Sequence, residues 1–326
     1  AAFFLLVRSN EASEWRDYAS KGSTRHHSRA FPHHPMEWFV NHLPPDRPDR
    51  SSADDRWFHP LLVCPACHGN LDLHAETREP MHCGTCDRTY PWFGRIPVLA
   101  EQETPDPELR ALADAWNRVA PGWRLHLGKP ARVLASAEAP LLDAAGGIVL
   151  EVGCGDGRLF PSYGVRGLRV IGVDFSAVML QMAAAASSFP LMLADAHNVP
   201  LRDGCIDTVL VPFSTIRYLD YGRFFREAHR LLREGGVLGF TAWNAAYNGP
   251  GPMLRHRVAA WKQGRDVARL SEVLVPLRLV GFRVMTMHGV FSAPKWSPLR
   301  QRLAVRVRGR MAASLARDIV IVARRT

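Results

Sequence analysis

One glycine-rich turn constrains the fold of this chain more than any other segment. Residues 148–152 are apolar and β-favouring apart from Glu151, and they run directly into Gly153, Gly155 and Gly157. An apolar run of this length is typical of a parallel strand that is covered on both faces. Glycines lack the side chains that would hold a ligand away from the backbone. The segment therefore predicts a buried strand followed by a turn that binds a nucleoside.

A second strand is predicted over residues 168–173, and it is followed by Asp174. A carboxylate at this position can accept hydrogen bonds from both hydroxyls of a ribose. The dinucleotide pattern G-x-G-x-x-G requires a third glycine where this chain has Arg158, so the turn does not fit a dinucleotide site. An ordinary tight turn between a strand and a helix is the alternative for the glycines taken alone.

The pattern E-x-G-x-G-x-G from Glu151 to Gly157 resembles motif I of class I S-adenosylmethionine-dependent methyltransferases, in particular the type 11, ubiquinone/menaquinone-methyltransferase-like group. Further matching elements follow it: a third strand over 191–194, a fourth over 207–213, and a helix with a glycine turn over 228–236. The resemblance covers residues 147–245 and implies S-adenosylmethionine as the cofactor. The residues that it places around this cofactor are Glu151, Gly153, Gly155, Gly157, Asp174, Asp195 and Ala196.

Two Cys-x-x-Cys pairs lie upstream, and the spacing between them falls in the range of zinc sites. The pairs are Cys64 with Cys67 and Cys83 with Cys86. Four thiolates would complete a tetrahedral zinc and leave no open position, so we expect a structural ion. Disulfides are an alternative, which the lack of a visible secretory signal disfavours. A dithiol redox centre would need a Cys-x-x-Cys at the start of a helix in a βαβ unit, which neither pair has.

The segment from the first cysteine pair through residue 99 resembles the small zinc-ribbon domain known as an activator of tRNA, rRNA and protein methyltransferases. The resemblance implies a ribbon that packs against a methyltransferase, here fused in front of one. We expect its aromatic and aliphatic residues to form a small core and a docking face rather than a platform for stacked bases. A domain this short buries little apolar surface alone, so it needs the metal.

The expected organisation has four parts: a flexible leader over residues 1–57, the zinc ribbon over 58–101, a helical linker and cofactor lid over 102–146, and the methyltransferase domain over 147–326. Within the last, residues 147–245 form the cofactor half, and residues 246–326 form a substrate cap and the antiparallel end of the sheet. Trp116 in the linker is expected as a lid residue or as ordinary core. The predicted fold class is α/β, with a seven-stranded Rossmann-like sheet behind the ribbon.

The formal net charge of +10 and the pI of about 9.8 favour anionic partners such as RNA or acidic lipid headgroups. Arginines cluster with aliphatic residues between Arg300 and Arg317, for which a solvated helix or strand face is the alternative. No apolar run is long enough to cross a bilayer, and the run at residues 3–7 lacks the features of a signal peptide. We therefore expect a cytoplasmic protein without a transmembrane segment.

Residues 212–219 follow the fourth strand, where the enzymes of the resemblance hold side chains that face the methyl group. Enzymes that methylate exocyclic amino groups of bases carry an Asn/Asp-Pro-Pro-aromatic motif there, and this chain does not. The candidate catalytic residues are Arg217 and Tyr218, which could touch the acceptor, and His197, which could take a proton near neutral pH. Local packing or a surface role is the alternative for each of them.

The sequence is compatible with three functions. Methyl transfer to a small-molecule or lipid-like acceptor is favoured by the type 11 resemblance. Methylation of RNA is the alternative that the basic charge and the ribbon favour. The third is a protein that binds the cofactor without turnover and holds a partner through its ribbon.

Overall fold

The computed structural model of the chain describes residues 56–73, 79–100, 107–123, 131–244, 270–292 and 304–326. The leader expected over residues 1–57 lies outside the described residues up to residue 55. The substrate cap expected after residue 245 likewise lies outside them up to residue 269. The described segments form a cysteine-rich unit followed by a large sheet with helices.

The cysteine-rich unit, which we call the ribbon (residues 56–100), consists of short strands joined by tight turns. A 3₁₀ turn at Arg56–Leu61 precedes a three-stranded antiparallel sheet and a two-stranded hairpin. The strands are β1 (Leu71–Asp72), β2 (Met81–Cys83), β3 (Thr89–Tyr90), β4 (Trp92–Phe93) and β5 (Ile96–Pro97). Strands of two or three residues bury too little surface to be stable alone, so this unit depends on its neighbours and on its cysteines.

The large sheet has eight strands in the order β12-β11-β13-β10-β9-β6-β7-β8. In chain order they are β6 (Ile148–Val152), β7 (Arg169–Asp174), β8 (Leu191–Leu193), β9 (Ile206–Val211), β10 (Leu232–Trp243), β11 (Phe282–Ser292), β12 (Ala304–Arg308) and β13 (Asp318–Arg325). The five strands from β10 to β8 are parallel, and β13 pairs antiparallel with both β10 and β11. The chain reverses its direction of winding between β6 and β9, which opens a crevice at the carboxyl end of β6.

The sheet contains the seven strands expected from the sequence and one more. The added strand is β12, which pairs antiparallel with β11 at the edge of the sheet. It lies inside the arginine cluster, for which a solvated helix or strand face was the alternative expectation. Val305 and Val307 alternate with Arg306 and Arg308 along it, and all four side chains are exposed.

Helices cover both faces of the sheet. They are α1 (Pro107–Val119), α2 (Ala131–Ala144), α3 (Phe160–Val165), α4 (Ala177–Ala186), α5 (Tyr221–Leu231), α6 (Leu270–Leu279) and α7 (Arg310–Leu315). Consecutive residues of a strand point to opposite faces. In β10, Gly239 faces Leu141 of α2, whereas the ring of Phe240 packs 5.8 Å from Phe225 of α5. The sheet is therefore the middle layer between α2 and α5.

The ribbon packs against the edge strand β8. The backbone N–H of Leu99 donates to the carbonyl of Leu193 at 2.9 Å, and Val98 forms a parallel bridge with Leu193. An edge strand exposes unpaired backbone groups that invite aggregation, so the ribbon also protects this side of the sheet. Apolar ribbon residues, including Phe58 and Leu62, belong to the same buried cluster as the sheet residues.

Among the described helices, none combines the length and the apolar character that crossing a membrane would take. The expected cytoplasmic location stays a prediction. The boundaries of the four expected parts of the chain also stay predictions.

Arg95 of the ribbon provides a test of this docking. Its guanidinium donates to the carbonyl oxygens of Ser187, Ser188 and Phe189 just after α4, at 2.8 Å for Phe189 and 3.4 Å for Ser188. Because Arg95→Ala leaves these carbonyls without that donor, we expect it to destabilise the protein by about 1–3 kcal/mol. The midpoint of thermal unfolding should fall by about 2–6 °C in circular dichroism.

Arg166→Ala is the matched control, because the exposed Arg166 makes one hydrogen bond to Ser162 within its own helical turn. Its effect on the free energy of unfolding should stay within about 0.5 kcal/mol. Equal effects of the two substitutions would contradict a docking role for Arg95.

Candidate cofactor cavity and cysteine cluster

The glycine turn after β6 has a regular left-handed pattern. Gly153, Gly155 and Gly157 have φ values of 68°, 54° and 73°, a region that residues with a Cβ rarely adopt. A Cβ on Gly153 would lie 2.4 Å from the Thr215 side chain, and one on Gly157 would lie 2.6 Å from the Phe160 ring. The turn thus needs glycine for its backbone shape, and at two positions also for close packing.

Asp174, at the end of β7, faces this turn. One carboxylate oxygen accepts the backbone N–H of Gly155 at 2.9 Å, and the other accepts the N–H of Ser176 at 2.8 Å. Burial raises the pKa of Asp174 to about 6, although the backbone N–H groups that donate to it act in the opposite direction. The carboxylate is therefore ionised at neutral pH, and each of its oxygens keeps a lone pair for a further donor.

Glu151 lies beneath the turn and lines the same cavity. It is fully buried, and burial raises its pKa to about 8. Its Oε2 atom makes no hydrogen bond within the described part of the chain. Buried polar atoms are nearly always hydrogen-bonded in native proteins. The candidate partners for this oxygen are the buried hydroxyl of Tyr163, which interacts with Glu151, and a polar group of a ligand.

Arg158 lies in the glycine turn, at the third position of the dinucleotide pattern, and pairs with a carboxylate of α2. Its guanidinium binds Glu138 of α2 through two hydrogen bonds, one of them 2.9 Å long. Glu138 is almost completely buried. This ion pair joins α2 to the turn, and the guanidinium also lies 5.8 Å from the ring of Phe213.

The acidic position after β8 is held by a histidine. Oδ1 of Asp195 accepts hydrogen bonds of 2.9 Å from the backbone N–H and from Nδ1 of His197. Nε2 of His197 in turn accepts the backbone N–H of Asp220 at 2.9 Å. Burial raises the pKa of Asp195, but the hydrogen bonds and the charge interaction with His197 lower it by more, so the pKa lies below its ordinary value. Both ring nitrogens of His197 are thus engaged in holding the loop.

The same loop touches the first cysteine turn of the ribbon. Nδ2 of Asn198 donates to the carbonyl of Pro65 at 2.8 Å, and Oδ1 of Asn198 lies 3.2 Å from Nε2 of His68. Val63 and Arg202 add backbone hydrogen bonds between the two segments. The position of the Asp195 loop therefore depends directly on the fold around the cysteines.

The structure brings six of the residues expected from the sequence into one cavity. Its lining includes Glu151, Gly153, Gly155, Asp174, Arg217 and Tyr218. Four other expected residues, Gly157, Asp195, Ala196 and His197, lie outside the lining. Gly157 supports the turn from below, and the other three lie on the loop after β8.

Aromatic side chains, which we call the aromatic wall, form much of the remaining lining, and sequence reasoning largely missed them. The ring of Trp116 lies 5.2 Å from Trp123 and 6.0 Å from Tyr218, and Trp123 lies 5.1 Å from Phe213. Trp243, at the end of β10, completes the lining. Trp116 was expected as a lid or core residue, whereas no signal in the sequence pointed to Trp123 or Trp243.

The four cysteines of the ribbon converge on one point. Their sulfur atoms all lie within 4.8 Å of one another. The sulfur of Cys64 is 3.6 Å from that of Cys86, and the sulfur of Cys67 is 3.5 Å from that of Cys83. A tetrahedral zinc with bonds of about 2.3 Å would place its sulfurs about 3.8 Å apart, so the spacing fits such an ion.

The thiols of the cluster shift each other's pKa in opposite directions. Burial raises the pKa of Cys83, but hydrogen bonds from the backbone N–H groups of Cys86 and Thr85 and from neighbouring thiols outweigh burial and lower the pKa to about 6. The backbone N–H of Gly69 lowers the pKa of Cys67, but burial and the other three thiols raise it to about 12. Thiolates are the form of cysteine that binds metals. The ribbon thus supplies a compact set of sulfur ligands on two adjacent turns.

Comparison with known proteins divides the chain in the same way. The family described as "Methyltransferase domain" matches residues 150–240, and the family described as "Trm112p-like protein" matches residues 55–91. An uncharacterized methyltransferase of Mycobacterium tuberculosis (strain ATCC 25618 / H37Rv) is 39% identical over 105 residues, which are 32% of this chain and 42% of the relative. The chain thus spans about two fifths of the length of this curated relative.

A malonyl-[acyl-carrier protein] O-methyltransferase of Yersinia pestis is 31% identical over 97 residues, which are 29% of this chain and 36% of the relative. Among solved structures, a SAM-dependent methyltransferase of Thermotoga maritima is 20% identical and has a TM-score of 0.50. The similarity covers 65% of this chain and 98% of that protein, and it supports the fold. Residues 150–240 are therefore similar to a methyltransferase domain, and residues 55–91, which precede them, are similar to a Trm112p-like protein.

Proposed function

We propose that this chain binds S-adenosylmethionine in the cavity beside β6 and transfers its methyl group to a small organic acceptor. One observation carries the proposal: a left-handed glycine turn faces the ionised carboxylate of Asp174 at the carboxyl ends of two parallel strands. Ligands of doubly wound sheets bind at this position. The methyltransferase family match over the same residues supports it.

The residues of the cavity fit the polar groups of such a cofactor. Asp174 would accept hydrogen bonds from the ribose hydroxyls with its remaining lone pairs. The glycine turn would let the cofactor approach the backbone. The unsatisfied Oε2 of Glu151 would meet a polar group of the methionine end. Asp195 and Ala196 lie outside the lining, on the loop after β8, and their expected contact with the adenine stays a prediction.

When bound, the cofactor would supply an electrophilic methyl group. A lone pair of the acceptor would bond to the methyl carbon as the carbon–sulfur bond breaks and leaves its electron pair on sulfur. The acceptor would then lose a proton. The protein's contribution is mainly to align the acceptor with that carbon. We propose Arg217 and Tyr218 for this role, since both line the cavity. His197 is a positioning residue, since both its ring nitrogens hold the Asp195 loop.

A small acceptor fits the cavity better than RNA. The aromatic residues of the cavity lining include Trp116, Trp123, Phe213, Tyr218 and Trp243. Several of their rings pack edge to face on each other, which offers no open platform for successive bases. The exposed arginines of β12 lie on the edge strand of the sheet, three strands from β10, whose Trp243 lines the cavity. RNA methylation and binding without turnover become outcomes of the activity test below.

We also propose that the four cysteines, Cys64, Cys67, Cys83 and Cys86, hold a structural zinc. Four sulfur ligands at this spacing would close the coordination shell. The ion would then stabilise the ribbon and, through Asn198, the loop that carries Asp195.

Asp174→Asn tests the cofactor site. The amide group of asparagine offers only one accepting oxygen, so we expect the affinity for S-adenosylhomocysteine to fall about 10- to 100-fold in titration calorimetry. Protonation of Asp174 removes the same acceptor, so the affinity of the wild type should decrease as the pH falls through about 6. This decrease should be absent in Asp174→Asn.

Asp143→Asn serves as the control, because Asp143 is an exposed carboxylate on α2, away from the cavity. It should leave both the affinity and its pH dependence unchanged. Wild-type affinity in Asp174→Asn would overturn the cofactor assignment.

Cys83→Ser tests the metal site. The wild type should contain one equivalent of zinc by plasma mass spectrometry, and the variant should lose it because a buried ligand is gone. Thermal unfolding of the variant should begin at a lower temperature. Cys205→Ser, which alters a cysteine outside the cluster, should keep the zinc. A wild-type protein without zinc would contradict the proposal.

The acceptor class is tested with methyl-labelled S-adenosylmethionine and a cell extract. We expect label in the organic-extractable fraction, with little change as the salt concentration rises, because a small acceptor releases few counterions. Label in an RNase-sensitive fraction that decreases steeply with salt would assign the protein to RNA instead. Cofactor binding without any labelled product would support the third function, a protein that binds the cofactor without turnover.

A further inference from the structure

A group of exposed apolar side chains lies at the edge of the large sheet. Met311 and Leu315 of α7 are 78% and 63% exposed, and residues four apart lie on the same side of a helix. Val305 and Val307 of the edge strand β12 are exposed as well. We call these four residues the edge patch. Apolar side chains that are exposed as a group, rather than singly, mark sites of interaction with a protein or a membrane.

The register of the sheet brings both parts of the edge patch to one face. Val307 lies directly opposite Gly289 of β11, so side chains at these two positions point to the same face. A Cβ on Gly289 would clash with the carbonyl of Ala312 and would lie 2.6 Å from the Cβ of Ala316, so α7 covers this face. Val305, two residues from Val307, shares the face. Since α7 also contacts β12, the four side chains lie on one side of two adjacent elements.

Three exposed arginines accompany the edge patch. Arg306 and Arg308 alternate with its valines along β12, and Arg310 begins α7. None of the three forms an ion pair within the described part of the chain. Among the described residues from 282 onward, the one acidic residue is Asp318, which is buried. Their positive charge is therefore not neutralised locally, and after burial the charges of Arg306 and Arg308 help to lower the pKa of His288 on β11.

The edge patch lies at the same end of the sheet as the cavity. Arg306 pairs with Val290 of β11, and Val290 pairs with Asp318 of β13. Asp318 in turn pairs with Trp243, which lines the cavity. Neighbouring strands are about 4.8 Å apart, so this row of residues places Arg306 about 14 Å from Trp243 across the sheet. A surface bound to the edge patch would thus lie close to the cavity.

We propose that the edge patch binds the surface of an anionic lipid bilayer. The four apolar side chains enter the bilayer at the level of the headgroups, and the arginines bind the lipid phosphates. Protein surfaces that combine exposed apolar groups with basic ones bind in this way without spanning the membrane. Each basic residue near an anionic leaflet strengthens the binding. The proposal goes beyond the proposed methyltransferase function and does not depend on it.

Two other occupants fit the edge patch less well. RNA without a fixed sequence is bound by bases that stack on aromatic rings, whereas the exposed side chains here are aliphatic. A second copy of the chain could pair its β12 with this strand, but Arg306 and Arg308 would then lie against the same arginines of the copy. Like charges opposite each other destabilise a pair of strands. An anionic bilayer matches both the positive charge and the apolar side chains.

The test measures binding of the full chain to lipid vesicles by flotation. Vesicles of phosphatidylcholine are compared with vesicles of phosphatidylcholine and phosphatidylglycerol in equal amounts. We expect the partition coefficient to be at least about tenfold higher for the anionic vesicles, because several arginines act together. Added salt should weaken this binding without abolishing it, since salt screens the charges and leaves the apolar contact intact.

Two double variants separate the apolar and the basic contributions. Met311→Ser combined with Leu315→Ser should lower the partition coefficient for anionic vesicles about tenfold, because less apolar surface leaves water. Arg306→Gln combined with Arg308→Gln should also lower it about tenfold or more, because two charges near the leaflet are gone. All four side chains are exposed, so both variants should keep the circular dichroism spectrum of the wild type.

Val165→Ser combined with Arg166→Gln is the matched control. It removes one exposed apolar side chain and one exposed arginine at the end of α3. This helix contacts β7, which is six strands from β12. The control should therefore bind anionic vesicles as the wild type does.

The proposal is overturned if the wild type binds both kinds of vesicle equally, or if Met311→Ser with Leu315→Ser leaves vesicle binding unchanged. Binding of single-stranded RNA that is lost in the arginine variant, together with unchanged vesicle binding in the apolar variant, would assign the surface to RNA instead. Failure to bind anionic vesicles, with a wild-type dimer in sedimentation that the apolar variant dissociates, would assign it to a second copy of the chain.

Discussion

The carboxylate of Asp174 joins the two βα turns on which the cavity depends. It accepts one N–H from the turn after β6 and one from the start of α4, so each oxygen fixes a different segment. A buried carboxylate is costly unless it is hydrogen-bonded, and here the same bonds that offset this cost also shape the glycine turn. Ser176 extends the arrangement, because its hydroxyl caps α4 and donates to Asn117 of α1 at 2.7 Å. The helix that carries Trp116 is thereby tied to the cofactor side.

The second constraint is the pairing of the ribbon with β8. A three-residue edge strand offers few backbone groups for hydrogen bonding. The ribbon binds β8 through Leu99, and it binds the loop after β8 through Val63 and through Pro65, which accepts from Asn198. This loop carries Asp195, and His197 connects it onward to the start of α5. A continuous series of hydrogen bonds thus runs from the first cysteine turn to Asp220, two residues after Tyr218 of the cavity lining.

The parts of the fold that could be predicted from the sequence are those with local signals. The apolar run before Gly153, the acid at Asp174 and the paired cysteines each have a fixed spacing, and the structure contains the strands, the turn and the cluster that they predict. The aromatic wall has no such signal, because Trp123 and Trp243 are far apart in sequence and line the same cavity only in the folded chain. The pairing of Arg158 with Glu138 depends in the same way on a tertiary contact. The strand β12 could not be predicted, because alternating Val and Arg residues also occur on exposed surfaces that pair with no other strand.

The position of the ribbon within the chain has a thermodynamic consequence. Two separate proteins that bind through a short edge pairing associate only as far as their concentrations and dissociation constant allow. Here both surfaces belong to one polypeptide, so their association is unimolecular and its extent does not change on dilution. The stoichiometry is fixed at one ribbon for each sheet, and the effective concentration of a tethered partner is in the millimolar range for short linkers. A weak contact surface is therefore sufficient, and competing sheets in the same solution cannot displace the tethered one to any great extent.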